Sequence, residues 1–347
     1  MNEIIEHKNE VMKKIKILHF CLISSGMLNA QGLHFSQFYN APMLLNPANT
    51  GLLQNSDWRV GTSYRNQWAT VPVNYNTFSV FADLGAFRNN WETSWLGAGV
   101  AVWRDAAGDG NLALTRIQTN LAYHVLISER SSLSAGIGAS YNQRSVDFSK
   151  LTFDSQWDEF SFKWNAPNME TNSSQKRTFT SISAGMNYSY YNNSNLYIKM
   201  SLAANNINQP IETFYGESNK LGLRPQVALE LSYKPSEKVI LNPMVYYTRQ
   251  KKASELVFGS LFNVNTGEMK VNPSEVILGV FYRNKDAIIA AAGYKWKDHR
   301  VMGSYDQTIS QMSHGNNGVG AFEISLILQG NYKRGDDLRE TYGCPRF

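Results

Sequence analysis

The sequence predicts an all-β fold, a transmembrane antiparallel β-barrel of about 14 strands. Between Trp58 and Tyr332, short segments alternate apolar and polar residues, as strands do when their two faces meet different surroundings. The connections between these segments alternate between short and long, and an export signal precedes them. The mean hydropathy of -0.35 excludes a helical membrane protein. It is compatible with a barrel because half of each barrel strand faces a polar lumen.

Residues 1–30 predict a secretory signal peptide. Basic residues at 13–16 precede a short apolar run at 17–23, and Ala30 provides a suitable cleavage site before Gln31. The apolar run is too short to span a bilayer as a helix. We therefore expect the mature chain to begin at Gln31.

The composition of the mature chain limits its chemistry. One cysteine, Cys344, remains after cleavage, so an internal disulfide is excluded and strand pairing must supply the stability. The net charge of the full chain, +5, is scattered, and no basic run is interleaved with aromatic residues. These observations predict no nucleic-acid partner.

Residues 31–57 precede the first predicted strand. Pro42, the pair Asn46-Pro47 and Gly51 interrupt any long regular element. The segment is expected to be either a periplasmic lead-in or a filler folded into the lumen, since a barrel of this size has an interior to fill.

The barrel itself is predicted to occupy 58–333. Several of its segments exceed the ~9–11 residues that a tilted strand needs to cross a bilayer, and these are expected to project beyond it. The predicted strands are 58–68, 73–85, 94–104, 111–127, 131–145, 178–191, 195–207, 222–234, 237–249, 253–263, 274–284, 286–297, 299–309 and 319–333.

Each predicted strand has a lipid phase and a lumen phase. Phe78 and Val80 alternate with Ser79 in this way. Glu230 and Glu323 fall on the lumen phase, where they would be costly in a dry core, so they favour a wet lumen over a soluble β-sandwich. Aromatic residues near the strand ends are assigned to the interfacial girdles of a barrel. These residues are Trp68, Trp103, Tyr190, Tyr191, Tyr246, Tyr247 and Trp296.

The lengths of the connections set the predicted orientation. Three long connections, 146–177, 208–221 and 310–318, fall at one end of an up-and-down barrel, whereas most at the other end are tight and 264–273 is longer than this rule predicts. Long loops of outer-membrane barrels are extracellular. Both termini, including a tail at 334–347, are therefore expected in the periplasm.

A series of short fragments occurs in a specific order along the mature chain. They are His34-Phe35-Ser36-Gln37-Phe38-Tyr39 with Pro42 and Asn46-Pro47, Asp105–Gly110, Ala122-Tyr123-His124, Ser145–Leu151 with Gln156, Tyr282-Arg283, Asp286–Ile289, Gly303–Asp306, Glu323–Leu326 and Cys344-Pro345-Arg346-Phe347. Together they resemble the PorP/SprF family of type IX secretion system outer-membrane proteins over nearly the whole mature chain. Phe322 stands where many members have His before the Glu, a minor departure.

The resemblance implies a role in secretion and surface display at the outer membrane. The partners that it implies are type IX components, namely periplasmic ring lipoproteins and a peptidoglycan-linking protein, and a secreted adhesin with a type B C-terminal domain. In gliding bacteria such cargo includes the motility adhesin. Outer-membrane lipid would surround the barrel. Nothing in this role requires a cofactor or makes the protein an enzyme.

Two patterns in the sequence could carry chemistry, but neither is assigned such a role. Asp105–Asn111 offers oxygen ligands in a Gly-rich loop, yet it lacks the late bidentate acid of a calcium loop, so a tight turn is preferred. His124 lies within a strand on the lumen phase, whereas a lipid-modifying enzyme would need a His and a Ser on the lipid face. We predict no catalytic residue, no metal site and no cofactor.

Two regions are candidates for binding a partner. The connection 146–177 combines aromatic and charged residues, as protein interfaces do, and packing of this loop on the barrel rim is the alternative. The periplasmic tail could contact a ring protein, and a short disordered end is the alternative there. The candidate residues are Phe153, Trp157, Phe160, Phe162, Trp164, Arg346 and Phe347.

The function predicted from the sequence is to bind secretion components or type B cargo, aiding export or surface anchoring. The alternative is an outer-membrane channel for a small solute. A channel predicts an open lumen and electrical conductance, whereas a binding protein requires neither.

Overall fold

A computed structural model describes residues 35–53, 56–71, 73–87, 93–158, 161–163, 166, 174–192, 195–213, 219–267 and 274–332. The predicted signal peptide 1–30 and tail 334–347 lie outside these residues. So do four candidate binding residues, Phe160, Trp164, Arg346 and Phe347.

The described residues form a closed antiparallel β-barrel of fourteen strands. The strands of the chain are β1 (Trp58–Gln67), β2 (Tyr75–Ala86), β3 (Ser94–Ala107), β4 (Leu112–Ser128), β5 (Ser131–Asp147), β6 (Trp157–Asp158), β7 (Ser161–Phe162), β8 (Ser174–Asn192), β9 (Leu196–Asn205), β10 (Arg224–Ser236), β11 (Val239–Gln250), β12 (Ala253–Asn265), β13 (Ser274–Arg283), β14 (Ala287–Trp296), β15 (His299–Thr308) and β16 (Val319–Gly330). Strands β6 and β7 form a separate small hairpin, and the other fourteen form the barrel.

Each barrel strand pairs with its neighbours along the chain, and the first strand closes on the last. Trp58 of β1 lies opposite Gly330 of β16, and Gln67 lies opposite Ala321. Closure pairs the backbone groups that an open sheet would leave at its edges. This confirms the predicted fold class and strand number.

The observed strands overlap every predicted one, but some ends differ. The largest difference is in the fifth connection, where β5 continues to Asp147 and β8 begins at Ser174, before the predicted start at 178. The predicted loop 146–177 is therefore shorter, spanning 148–173, because Val146 pairs with Gln175 as a continuation of the β5–β8 ladder. These two strands rise above their neighbours, as the sequence analysis expected of strands longer than a bilayer crossing requires.

Alternation of the side chains separates an apolar outer surface from the lumen. On β2, Phe78 and Val80 are exposed on the outer surface, whereas Ser79 and Asp83 face inward and are buried. On β16, Phe322 and its neighbours follow the same rule. The phase predicted from the sequence is confirmed in these strands. Within the described residues, no helix has the length and apolar character that a membrane-spanning helix needs.

The predicted aromatic girdles are partly wrong. Tyr247 and Trp296 are exposed on the outside, as expected, but Trp103, Tyr191 and Tyr246 are buried and face the lumen. The pair Tyr246-Tyr247 shows the reason. Adjacent residues of a strand point to opposite faces, so only one of two neighbouring aromatic residues can meet the lipid.

The two barrel ends differ in the length of their connections. We call the end that carries the connections 148–173, 206–223 and 309–318 the mouth. Tight turns dominate the opposite end, where two-residue connections join β4 to β5 and β10 to β11. The connections 87–93 and 266–273 at this end are longer than tight turns.

Candidate functional site

The lumen contains the chain's own N-terminal segment, which we define as Phe35–Leu53. It consists of short turns rather than a long element: a 3-10 turn at Phe38–Asn40, an α-helical turn at Pro42–Leu45 and a 3-10 turn at Pro47–Asn49. Each proline occupies the first position of its turn, where its missing N–H and restricted φ are best tolerated. The breakers that the sequence analysis noted therefore fold the segment into a compact shape.

Asn46 attaches this segment to β8 and β9. Its side-chain NH2 lies 2.9 Å from Asn187 Oδ1 and 3.2 Å from the carbonyl oxygens of both Met186 and Leu202. Its Oδ1 accepts the backbone N–H of Ala48 at 2.8 Å and so caps the next turn. Since Asn46 is buried, each of these bonds replaces one that water would otherwise make.

The end of the segment is bound to β2, β3 and β4. Asp83 Oδ2 accepts the backbone N–H of Gly51 at 2.8 Å, and Trp95 Nε1 donates to the Gly51 carbonyl at 2.9 Å. His124 Nε2 lies 2.9 Å from the carbonyl oxygen of Thr50. Together with Asn46, these contacts tie the later part of the segment to one continuous arc of the barrel wall, from β9 to β2.

His124 faces the lumen, as its strand phase predicted. Because a carbonyl oxygen can only accept, Nε2 carries the proton, which leaves Nδ1 to accept from the Ser134 hydroxyl at 2.7 Å. The ring also stacks on Trp95, with centroids 4.9 Å apart. Both ring nitrogens are used in holding Thr50 and Ser134, so this buried His–Ser pair is arranged to bind the segment.

Inward-facing glycines allow the segment's backbone to approach the barrel wall. A Cβ on Gly97 of β3 would lie 2.0 Å from the Thr50 carbonyl oxygen, and one on Gly185 of β8 would lie 2.0 Å from Asn46 Oδ1. A Cβ on Gly136 of β5 would lie 2.5 Å from the Ala48 backbone nitrogen. No side chain fits at these distances, so the wall is shaped for this occupant.

The start of the segment binds a cluster of charged residues near the mouth. Glu323 of β16 accepts the backbone N–H of Ser36 at 2.7 Å, and Asp306 of β15 accepts the Ser36 hydroxyl at 2.6 Å. Arg65 of β1 lies between the two carboxylates, 3.0 Å from Asp306 and 3.3 Å from Glu323. Arg283 of β13 lies 3.1 Å from Asp306 and donates to the Ser36 hydroxyl at 3.0 Å.

The environment of Glu323 differs from the predicted one. The sequence analysis placed it in a wet lumen, but its side chain is buried. Protein donors take the place of water, since Arg65 and the backbone N–H groups of Ser36 and Gln37 all lie within 3.3 Å of its carboxylate. A buried carboxylate with this number of donors keeps its charge compensated.

Apolar contacts also hold the segment against the barrel wall, at the binding position that we call its seat. Phe38 stacks on Tyr246, with ring centroids 5.5 Å apart, and meets Phe281 edge-on at 5.8 Å. Met43 packs against Phe81 and Ala101 on the opposite side of the lumen. Tyr246, one of the inward aromatic residues that the girdle prediction misassigned, therefore lines this seat.

The fragments that carry the family resemblance meet at this seat. Ser36 and Gln37 belong to the first fragment, and Arg283, Asp306 and Glu323 belong to three fragments near the end of the chain. None of them is assigned to a site from the sequence alone, because residues far apart in sequence give no sign of contact. The one signal in the sequence was that Arg283, Asp306 and Glu323 are charged residues on the lumen phase of their strands.

The mouth carries the predicted aromatic candidates. Trp157 and Phe162 lie opposite each other in the β6–β7 hairpin, and Trp157 is 59% exposed. Phe153 lies lower in the loop, with its ring centroid 6.4 Å from that of Phe148. The structure thus brings Trp157 and Phe162 together and presents Trp157 to the surroundings.

The Gly-rich connection after β3 forms the tight turn that the sequence predicted. Gly108 and Asn111 have positive φ values of 66° and 47°, and the Asn111 N–H donates to the Gly108 carbonyl at 3.0 Å. Residues with little steric restriction, or with a short polar side chain, are favoured in this conformation. In the part of the chain that the structure describes, no group of three or more His, Cys, Asp or Glu side chains is placed to hold a metal ion.

Comparison with known families gives a match over most of the chain. The matching model is described as the type IX secretion system membrane protein PorP/SprF, and it covers residues 27–328. No curated protein matches the sequence.

Several solved structures are similar in fold. The toluene transporter TbuX of Ralstonia pickettii has a TM-score of 0.51 at 10% identity, covering 83% of this chain and 92% of its own. The toluene transporter TodX of Pseudomonas putida has a TM-score of 0.51 at 9% identity, with the same coverage of 83% and 92%. A FadL homologue of Pseudomonas aeruginosa has a TM-score of 0.50 at 10% identity, covering 84% and 94%. At these identities the similarity establishes the barrel fold alone.

Proposed function

Because the chain belongs to the PorP/SprF family of type IX secretion system membrane proteins, we propose that it is a binding subunit of this system in the outer membrane. It holds either a component of the secretion machinery or a secreted adhesin with a type B C-terminal domain. In this role it aids export or surface anchoring, including that of a motility adhesin in a gliding cell. The barrel supplies a rigid frame and the mouth supplies the contact surface.

The occupied lumen is the observation that carries this proposal. The N-terminal segment is hydrogen-bonded to β16 at its start, through Ser36, and to β2 at its end, through Gly51. Its backbone fills the space that the glycines of β3 and β5 leave free, and the Asn46 side chain fills the space beside Gly185 of β8. A lumen built around an internal segment favours binding at the barrel surface over diffusion through it.

The proposed contact surface includes the connection 148–173. An exposed tryptophan beside a second aromatic residue resembles the anchors of protein interfaces, where a few aromatic side chains carry most of the affinity. Trp157 and Phe162 have this arrangement. Phe160 and Trp164, in the same connection, extend the proposed surface by sequence.

The proposal also assigns each end of the barrel to one side of the outer membrane. We place the mouth outside the cell, since long loops of outer-membrane barrels are extracellular. Both termini then belong to the periplasm. The tail residues Arg346 and Phe347 would there contact a periplasmic ring lipoprotein or a peptidoglycan-linking protein.

The experiment is affinity purification of the tagged protein from its own outer membrane in mild detergent, with mass spectrometry of the proteins that accompany it. Recovery of a large secreted protein with a C-terminal sorting domain supports a cargo anchor. Recovery of ring lipoproteins without cargo supports a machinery subunit. A barrel that comes without either class contradicts the proposal.

A matched pair of variants tests the mouth. Trp157→Ala should lower the recovery of the mouth-bound partner about tenfold, the effect of an anchor worth ~1.4 kcal/mol. Met312→Ala is the control, because Met312 is another exposed apolar residue in a connection at the mouth. Equal losses in both variants would mean that Trp157 is not an anchor.

A solute channel is the second candidate function. The fold similarity to TodX and TbuX, which are described as toluene transporters, is the observation that favours it. Planar-bilayer recordings of the purified barrel separate the two functions. Stable conductance steps in the unmodified protein would favour the channel, and a silent barrel that retains a partner would favour the binding subunit.

A further inference from the structure

Three arginines face the lumen in the mouth half of the barrel, two on neighbouring strands and the third separated from them by two strands. Arg116 lies on β4, Arg144 on β5 and Arg224 at the start of β10. All three are half-buried, so each is partly exposed to solvent. They lie on the opposite side of the mouth from the cluster around Glu323, and the N-terminal segment does not use them in any described hydrogen bond.

Glu212 reaches these arginines from the connection between β9 and β10. The connection folds back on itself, since Ile211 and Lys220 form a β-bridge and the Glu212 N–H donates to the Asn219 carbonyl at 2.8 Å. Glu212 Oε1 lies 2.7 Å from Arg144 Nε. Glu212 thus places its carboxylate against β5, which pairs with neither of the two strands that the connection joins.

The other two arginines meet no carboxylate among the described residues. The Arg116 guanidinium lies 5.0 Å from the Trp103 ring centroid and donates to Asn142 Oδ1. Arg224 donates to Thr248 Oγ1 at 3.2 Å. Arg224 and Glu212 are among the charges that act on Arg116, the first repelling it and the second attracting it.

This arrangement contrasts with the rest of the lumen. Elsewhere, five inward-facing cations of the described strands form ion pairs of 3.3 Å or less, whereas Arg300 of β15 donates to Asn40 Oδ1 at 2.6 Å. These pairs are Arg59–Asp83, Arg65–Asp306, Arg65–Glu323, Lys199–Glu230, Arg283–Glu255 and Lys295–Glu275. Among the described residues, Glu212 is the one carboxylate within ion-pair distance of these three arginines, and it pairs with Arg144, which leaves Arg116 and Arg224 without such a pair there.

We propose that Arg116, Arg144 and Arg224 form a carboxylate-binding subsite for an acidic polypeptide segment that enters the mouth. Guanidinium groups bind carboxylates through paired N–H donors and stay charged at any physiological pH. In the free protein the Glu212 carboxylate pairs with Arg144. Carboxylates of the incoming segment bind the other two arginines, Arg116 and Arg224. Trp103 provides an aromatic wall beside Arg116.

The position of the subsite argues for a polypeptide rather than a lipid. The three arginines face inward, so phosphates of lipid headgroups around the barrel cannot reach them without entering the lumen. The inference rests on the proposed function, because it names the charge of the partner segment that the mouth receives. It differs from the aromatic anchor at Trp157, which binds apolar groups.

The test measures binding of a ten-residue polyaspartate peptide to the purified full-length barrel in detergent, by calorimetry at low salt. Wild-type protein should bind polyaspartate and not polylysine, and the double variant Arg116→Gln/Arg224→Gln should raise the Kd at least tenfold. Arg104→Gln is the matched control, since Arg104 lies beside Trp103 on β3 but is exposed on the outer face. Heat-dependent migration on gels checks that each barrel is folded.

A second variant separates a binding role from a structural one. Glu212→Gln removes the internal carboxylate and should tighten polyaspartate binding several-fold, which loss of structure would not do. The subsite is overturned if the double variant binds as well as wild type, or if Arg104→Gln weakens binding equally. It is also overturned if acetate at the same carboxylate concentration displaces the peptide completely, because the site would then take any small anion.

The outcomes also separate this inference from the proposed function. If a secretion partner co-purifies with the barrel but polyaspartate does not bind, the subsite is wrong and the binding function stands. If polyaspartate binds as expected while no partner is recovered from the membrane, the subsite stands and the proposed function is wrong.

Discussion

Glu323 accepts the backbone N–H of Ser36 at 2.7 Å, a contact between residues 287 positions apart. It joins the last barrel strand to the segment that precedes the first. The same carboxylate lies 3.3 Å from Arg65 on the strand that closes against β16. Closure of the barrel and seating of the N-terminal segment therefore depend on one charged side chain.

Replacing Glu323 by Gln should destabilise the barrel strongly. The change leaves the positive charge of Arg65 only partly compensated in a buried site, and breaking such a pair costs ~3–5 kcal/mol. The measurement is urea unfolding in detergent, followed by tryptophan fluorescence. Glu230→Gln is the control, because Glu230 pairs with Lys199 at 2.9 Å but is more exposed. A smaller effect at Glu323 than at Glu230 would contradict the assigned role.

Gly97→Ala should displace the end of the N-terminal segment. The added Cβ would meet the Thr50 carbonyl oxygen at 2.0 Å, and this oxygen belongs to backbone that cannot rotate away. A reporter cysteine, Thr50→Cys in a Cys344→Ser background, should react slowly with maleimide when Gly97 is present and quickly in the Gly97→Ala barrel. Gly303→Ala is the control, since a Cβ there meets nothing within 4 Å. Equal labelling rates in both barrels would show that the segment tolerates the change.

Asn46→Asp should weaken the attachment of the segment to β8 and β9. The carboxylate keeps an acceptor for the Ala48 N–H, but it loses the NH2 that faces Met186, Asn187 and Leu202. Leaving buried acceptors unpaired costs ~1–3 kcal/mol each. Hydrogen exchange of residues 47–51 should accelerate in the variant. If residues 47–51 exchange at the wild-type rate, the bond from the Ala48 N–H to the side chain of residue 46 is sufficient to hold this turn.

Phe38→Ala should lower the free energy of unfolding by about 3–5 kcal/mol, the usual cost of truncating a buried phenylalanine. Phe38 is buried and contacts Tyr246 and Phe281, so solvent does not compensate for the contacts that the substitution removes. Phe322→Ala is the matched control on the outer face, where the side chain is 50% exposed. Detergent replaces the lost contact at Phe322, so its effect should be smaller. A larger effect at Phe322 would contradict a packed lumen.

Much of the barrel was predictable because strand alternation is a local property. The segments containing Phe78 and Phe322 have one apolar phase, and the structure places that phase outside. The phase of Trp103 and Tyr246 could not be read in this way, since these residues lie near strand ends where both phases carry aromatic or apolar residues. Their inward direction follows from the register of the whole strand.

The candidate sites were predictable to different degrees. Trp157 was found from composition, because an aromatic-rich polar loop is recognisable without contacts. The arginines at the mouth were missed, since Arg116, Arg144 and Arg224 lie on three strands and are each ordinary lumen-phase residues. Only the tertiary structure, in which Glu212 pairs with Arg144 and lies near enough to Arg116 to attract it, shows that these positions form one group.

The sequence by itself determined the family, the strand positions and the number of strands, because side-chain direction along a strand repeats every two residues whatever surrounds it. The tertiary structure decided which charges meet and what fills the lumen. Ser36, Arg65, Asp306 and Glu323 acquire their partners only when the barrel closes. Contacts across a closed barrel depend on register, tilt and strand number together, and no local pattern encodes that combination.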